Sequence, residues 1–397
     1  MIAVIVSKGT AGYSGWRERL RGTFLVTFPA LLLCLALDFV GGGVLGKNFD
    51  KILAHYPLIL VVLPGMMDLR GNVFGALASR LTTALYLGKI SRISDPDVTT
   101  NITMAITSST IPLIILWVAG ALQLGLSHSA IVVLAIVVSS ALFIGLVLGY
   151  STAFITVVPY KHSIDPDTIA APLITSVADV ITIPSLVYLI FFYERHPKEF
   201  YAFTALMVAL LLVLIHRSKF TGEYRKSFKE ITVVLTALAI IEIFSGSTLE
   251  HYGEVISKAI ILSIMYPSIL DSVGNFSSIV AATTSTRLNL AGPSELRSRD
   301  FVADVGTVLL LSPIIGLLTN LIAVYVSRLA GLRGYMIWAF VATYPLLVIV
   351  NALIGVGVAY VAYTHSIDPD NVAIPTVTTI SDVLGTVYVV LLARSLA

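Results

Sequence analysis

Cysteine is nearly missing from this chain. Cys34 is the only one among 397 residues, which excludes an internal disulfide and any cysteine-rich metal site. Charge is scarce as well: Asp, Glu, Lys and Arg make up 12% of the chain, against about 25% in soluble domains. What charge there is nearly cancels, at +2, so the balance does not point to nucleic acid as a partner. Alternating segments of about ten residues, the mark of a membrane β-barrel, do not occur. The opening MIAVIV is too short for the core of a signal peptide, whereas the WRERLR stretch from Trp16 to Arg21 reads as a basic, interfacial lead-in to a first span.

Apolar residues are abundant. They make up 57% of the chain, mean hydropathy is +0.92, and apolar runs of about 20 residues recur, enough for helices to cross a hydrocarbon core roughly 30 Å thick. The fold class is therefore all-α, a polytopic protein whose obligatory partner is the lipid bilayer. Helical spans are expected near 23–43, 54–80, 102–122, 129–158 and 168–193, then a sixth at 200–216, then 230–247, 255–286, 303–326, 335–363 and 371–393. That divides the chain into a basic N-terminal segment 1–22, a first five-span repeat 23–193, a linker helix with a basic loop 194–229, and a second repeat 230–397. With the N-terminus inside, 16 of the 25 Lys and Arg fall on inner segments, 8 on outer ones, and Arg70 within a span. That bias is the one cytoplasmic segments carry, and it puts the C-terminus outside. A lone sixth helix restores the orientation of the second five, so the repeats are expected to be parallel.

The repeats announce themselves at a hexapeptide. HSIDPDTIAAPLITSVADV (162–180) and HSIDPDNVAIPTVTTISDV (365–383) share 11 of 19 positions, 203 residues apart, and the same offset aligns PGMMDLRGN (64–72) with PSILDSVGN (267–275). Asp-Pro-Asp is a helix start: Asp165 and Asp368 can cap, Pro166 and Pro369 suit the first helical position, and Asp167 and Asp370 complement the positive end of the helix dipole. His162 and His365 read as interfacial polar residues.

The helix so started carries an acid deep in the membrane. Asp179 lies 14 residues after Asp165, or roughly 21 Å at 1.5 Å per residue, and Asp382 holds the same register in the second repeat. Each follows a threonine by one turn (Thr175, Thr378) and a proline by two (Pro172, Pro375), the proline leaving a carbonyl oxygen free of its helical hydrogen bond. Two such faces brought together make an all-oxygen site of charge −2, suited to a hard divalent cation and above all to Mg²⁺ keeping part of its hydration. The alternative is a pair of protonated or hydrogen-bonded packing residues. Further acids recur in pairs: Asp68 with Asp271 in the second spans, and Asp38 with Glu242 at an offset of 204. Asn72 and Asn275 follow glycines in those second spans, while Pro64 and Gly65 suggest a broken or kinked helix. Arg70 either neutralises Asp68 or leaves it free for an ion. Asp38 and Glu242 are candidates for supporting, proton-linked or additional ion-binding roles.

LRGNVFGALASRLTTALYLG (69–88) followed by IDPDTIAAPLITSVADVIT (164–182) resembles the MgtE magnesium channels and, more closely, their animal solute-carrier relatives. The resemblance spans both repeats. It implies tandem MgtE-type transmembrane domains, transport of Mg²⁺ with other divalent cations as competitors, no cofactor, no enzymatic activity, and a cell-membrane location. It carries the family's central ion site over to Asp179 and Thr175, and to Asp382 and Thr378. One fused chain would imitate the family's homodimer, so a monomer would suffice. Two departures stand out. About 20 residues precede the first span, so the family's cytoplasmic sensing domains are expected to be missing. The Ser79-Arg80 pair of repeat 1 becomes Thr286-Arg287 in repeat 2, four residues further from its GN motif. Two other functions compete: a Na⁺- or H⁺-coupled exchanger of divalent cations, and an intramembrane aspartyl protease, which two membrane aspartates sharing a proton would suit but whose GxGD motif is missing.

Overall fold

The computed structural model describes residues 16–161, 170–218, 222–365 and 369–396, and every element in them is helical. In chain order the helices are α1 (Trp16–His55), α2 (Pro57–Tyr86), α3 (Pro96–Leu124), α4 (His128–Lys161), α5 (Ala170–Arg195), α6 (Pro197–Arg217), α7 (Gly222–His251), the short α8 (Gly253–Lys258), α9 (Ile260–Ala291), a 3-10 turn (Pro293–Arg297), α10 (Arg299–Leu309), α11 (Ser312–Leu329), α12 (Trp338–Thr364) and α13 (Pro369–Leu396). Among the described residues each expected span is occupied mainly by helix, and nine stretches are long and apolar enough to cross a membrane. The protein is an all-α polytopic membrane protein.

Prolines start several of these helices, since the missing N–H falls where no intrahelical acceptor exists. Pro57, Pro96 and Pro197 each sit in the first turn, and α13 begins at Pro369, as its Asp-Pro-Asp motif requires. The turn into α3 is tightened by Asp95, whose carboxylate accepts from the amides of Ser91 (2.6 Å) and Arg92 (2.9 Å); those bonds hold it below the usual carboxylate range. At the same register, 203 residues on, Ser298 caps α10 by accepting from the Phe301 amide at 3.0 Å.

Two expected spans prove to be broken. The 303–326 span is α10 plus α11, because Pro313 has no N–H to offer the Leu309 carbonyl; the Ser312 hydroxyl takes that carbonyl instead, at 2.7 Å. The 255–286 span is α8 plus α9, parted at Ala259, where the backbone leaves the helical region (φ −110°, ψ 63°). The equivalent break in repeat 1 is Tyr56 (φ −136°, ψ 47°), which separates α1 from α2. Conversely, α2 and α9 run unbroken through Pro64 and Pro267, so of the broken or kinked helix expected there the break does not occur. A proline costs one backbone bond, which dense packing around these helices tolerates.

The helices form two compact units. One takes α1 as far as Phe49 together with everything from Tyr252 onward; the other runs from Asp50 to His251. Spatial units and sequence repeats therefore divide the chain differently: each unit pairs the first span of one repeat with spans two to five of the other.

In the first unit α9 is central, packed on α11, α12 and α13. It carries buried Ser263, Ser268, Ser272, Ser277, Thr283 and Thr284, whose hydroxyls bond back to carbonyls three or four residues earlier. In the second unit α2 is central, with 83% of its apolar stretch buried against α3, α4, α5 and α7. Helix α6 is the opposite, with 11% buried; Leu206, Leu212 and Val213 are exposed, as expected of a lipid-facing helix.

The first spans dock through glycine. A Cβ on Gly42 of α1 would overlap the carbonyl oxygen of Ile264 in α9, and one on Gly246 of α7 would overlap the carbonyl oxygen of Val61 in α2. Val61 and Ile264 are 203 apart, so both units use the same backbone-to-backbone contact. Small residues permit such close approach of membrane helices.

Candidate ion site

In the first unit the close contact at Gly42 sets the depth of Asp38, one turn earlier on α1. Asp38 is 2% exposed and shares a hydrogen bond with the half-buried Asp271 of α9. Asn275, one turn beyond Asp271, donates Nδ2 to its carboxylate at 2.6 Å. Beside them the Tyr344 hydroxyl of α12 donates to Ser272 at 2.8 Å, within electrostatic reach of both acids. Gly274 faces α13, where a Cβ would lie 3.8 Å from the Thr378 methyl and 3.9 Å from Ser381 Cβ. The middle of α9, around Gly274 and Asn275, thus runs along the stretch of α13 that carries Thr378 and Asp382. Asp382 is 8% exposed, and the Thr378 hydroxyl donates to the Pro375 carbonyl at 3.0 Å.

In the second unit the same construction is repeated with different side chains. Gly246 seats α7 on α2, and Glu242, one turn earlier, lies against Gly65, whose added Cβ would be 3.0 Å from Glu242 Cβ. The carboxyls of Glu242 and Asp68 are close enough to interact electrostatically. Glu242 is wholly buried, and neither of its oxygens has a hydrogen bond of normal geometry. Asn72 Nδ2 is also buried without a partner. Arg70 donates to Ser140 of α4 at 3.2 Å.

Of the residues picked from sequence, Asp38, Asp271 and Asn275 are thus brought together, as are Asp68 and Glu242. The side chains of Thr175 and Asp179 lie outside the described residues, as do Asp165, Pro166, Asp167, Asp368 and the Asp370 side chain. Three polar residues went unnoticed in sequence: Ser245, Ser272 and Tyr344. Ser245 could have been found from its place three residues after Glu242, on the same helix face. The two repeats also differ where the arginine pair shifts: Arg287 bridges Glu295 and Asp304, whereas Arg80 has its Nε buried without a hydrogen bond.

Comparison with known proteins agrees with the duplication. Residues 63–189 and 266–392 each match the family model of MgtE, a divalent cation transporter, and the two matches are themselves 203 residues apart. The chain is similar to solute carrier family 41 member 3 of Mus musculus, 24% identical over 405 residues, covering 91% of this chain and 80% of the relative. It is also similar to solute carrier family 41 member 2 of Mus musculus, 26% identical over 400 residues, covering 92% and 68%. Among solved structures the crystal structure of the eukaryotic MATE transporter AtDTX14 aligns over 94% of this chain and 98% of its own with 11% identity, but its TM-score of 0.34 is too low to bear on the fold.

Proposed function

Because this chain belongs to the MgtE family of divalent cation transporters, we propose that its cargo is Mg²⁺, carried across the cell membrane with Asp179 and Asp382 as the principal ligands. What supports this most is the coincidence of register: both family-matched regions carry an aspartate at the same position, one turn after a threonine and two after a proline. Two carboxylates and neighbouring hydroxyl and carbonyl oxygens suit a hard cation, and Mg²⁺ dehydrates reluctantly, so it enters such a site with water still bound. The protein acts as a transporter and not as an enzyme, and one chain supplies both carboxylates.

Flux measured in proteoliposomes tests this directly. Mg²⁺ uptake is expected to exceed that of Ca²⁺, and cobalt hexammine, a mimic of hydrated Mg²⁺, is expected to compete. Uptake that ignored the hexammine complex while a bare-ion competitor blocked it fully would overturn a hydrated-ion site. Repeating the assay with imposed Na⁺ and pH gradients separates passive flow from the exchanger reading: a current that reverses at the Mg²⁺ equilibrium potential, whatever the other gradients, marks a channel.

The orientation follows from the Lys and Arg bias. Single cysteines at positions 220 and 395, in a Cys34→Ser background, are expected to label from opposite sides with an impermeant reagent, position 220 from the cytoplasm. Labelling from one side would end the parallel-repeat arrangement.

A further inference from the structure

We propose that the unit from Asp50 to His251 holds a divalent cation on Asp68 and Asn72 of α2 together with Glu242 and Ser245 of α7, a site that includes neither Asp179 nor Asp382. It rests on the transport reading only for the class of ion.

The geometry begins with one stripe of α2. Gly65, Asp68 and Asn72 are spaced i, i+3, i+7, so they follow one face of the helix. Glu242 lies against the first of them and interacts electrostatically with the second. Ser245, on the same face of α7, is wholly buried beside the Glu242 carboxyl, yet its hydroxyl has no hydrogen bond of normal geometry. Arg70, two residues after Asp68, donates to Ser140 of α4. Both Glu242 oxygens, the Ser245 hydroxyl and Asn72 Nδ2 are therefore buried polar atoms outside any hydrogen bond of normal geometry, all on one seam. Buried polar atoms are almost always bonded, and such exceptions call for a specific explanation.

The other unit shows the same seam with more of its polar groups paired. There Asp38 and Asp271 bond to each other, and Asn275 donates to Asp271. At the offset of 204, Gly41 stands where α7 has Ser245, and the shorter Asp38 where α7 has Glu242. The α2–α7 seam has thus gained a longer carboxylate and an extra hydroxyl. A proton shared between the carboxyls would leave Ser245 and Asn72 as they are. A cation draws in all four residues, with Asn72 turning its amide oxygen inward. The donors are then all oxygen, with two negative charges, which selects a hard divalent ion over a transition metal preferring nitrogen or sulfur.

Mn²⁺, an oxygen-seeking probe, counted by electron paramagnetic resonance on the full chain in nanodiscs, tests this. In an Asp179→Asn/Asp382→Asn background one Mn²⁺ per chain is expected to remain, and Glu242→Gln or Asp68→Asn is expected to weaken it at least tenfold. Should Glu242→Gln not fold, Ser245→Ala in the same background is expected to weaken Mn²⁺ about fivefold. A background that binds no Mn²⁺, or Glu242→Gln and Asp68→Asn variants with unchanged Mn²⁺ affinity, would overturn the proposal. Failure of the transport reading shows elsewhere, as undiminished Mg²⁺ flux in the Asp179→Asn/Asp382→Asn protein.

Discussion

Replacing either Asp179 or Asp382 by asparagine is expected to cut Mg²⁺ transport sharply while leaving folding and membrane insertion intact. Each replacement halves the charge of the proposed pair. Loss of one charge-assisted contact costs about 1.5–3 kcal/mol, or roughly 10- to 150-fold in affinity. Asparagine is nearly isosteric, so the buried Asp382 position keeps its packing. Since two ligands of one ion act as a unit, the double variant should be little worse than either single one. Asp165→Asn should be milder, because asparagine also caps helices well. The measurement is initial uptake in proteoliposomes, normalised to monodisperse protein. A folded double variant that transports at the wild-type rate would rule out Asp179 and Asp382 as the principal ligands.

The second large effect is on stability. Gly246→Ala is expected to lower the melting midpoint in detergent, and Gly42→Ala to do the same. The added methyl meets a backbone carbonyl in each case, Val61 for one and Ile264 for the other, and backbone cannot rotate aside as a side chain can. Overpacking of this kind costs about 1–3 kcal/mol, against a helix-propensity gain of about 1 kcal/mol for Ala over Gly. Gly357→Ala is the control: its methyl would have no neighbour within 4 Å, so only the propensity gain remains and the midpoint should hold or rise. A Gly246→Ala protein as stable as the control would mean that α7 is not wedged onto α2 as described.

The spans were legible because hydrophobic length is a strong signal, and the site registers because the duplication repeats them at one offset. Other features were not. The break at Pro313 hides inside an apolar run, and it is a hydroxyl, Ser312, that makes it tolerable. Pro64 and Pro267 read as breaks or kinks, yet their helices run on through them. The pairing of Asp38 with Asp271, and of Glu242 with Asp68, could not be read off either, because repeat similarity says which residues are equivalent and nothing about which copy a first span packs against. Only the glycines at 42 and 246, spaced like their acids, hinted that both first spans dock alike.

That exchange of first spans sets an order of events during synthesis. Helix α1 leaves the ribosome long before its neighbours in the finished unit, which begin at Tyr252. Asp38 waits for Asp271 while about 230 residues are made, which at roughly 5–20 residues per second is on the order of ten to fifty seconds. During that time a carboxyl-bearing span must stay in the bilayer, or at the insertion machinery, without the partner that will bond it. The unit from Asp50 to His251 meets no such delay, since all its helices emerge consecutively. Assembly of these helices therefore proceeds from the middle outward, and α1, made before the rest of its unit, is among the last of them to find its place.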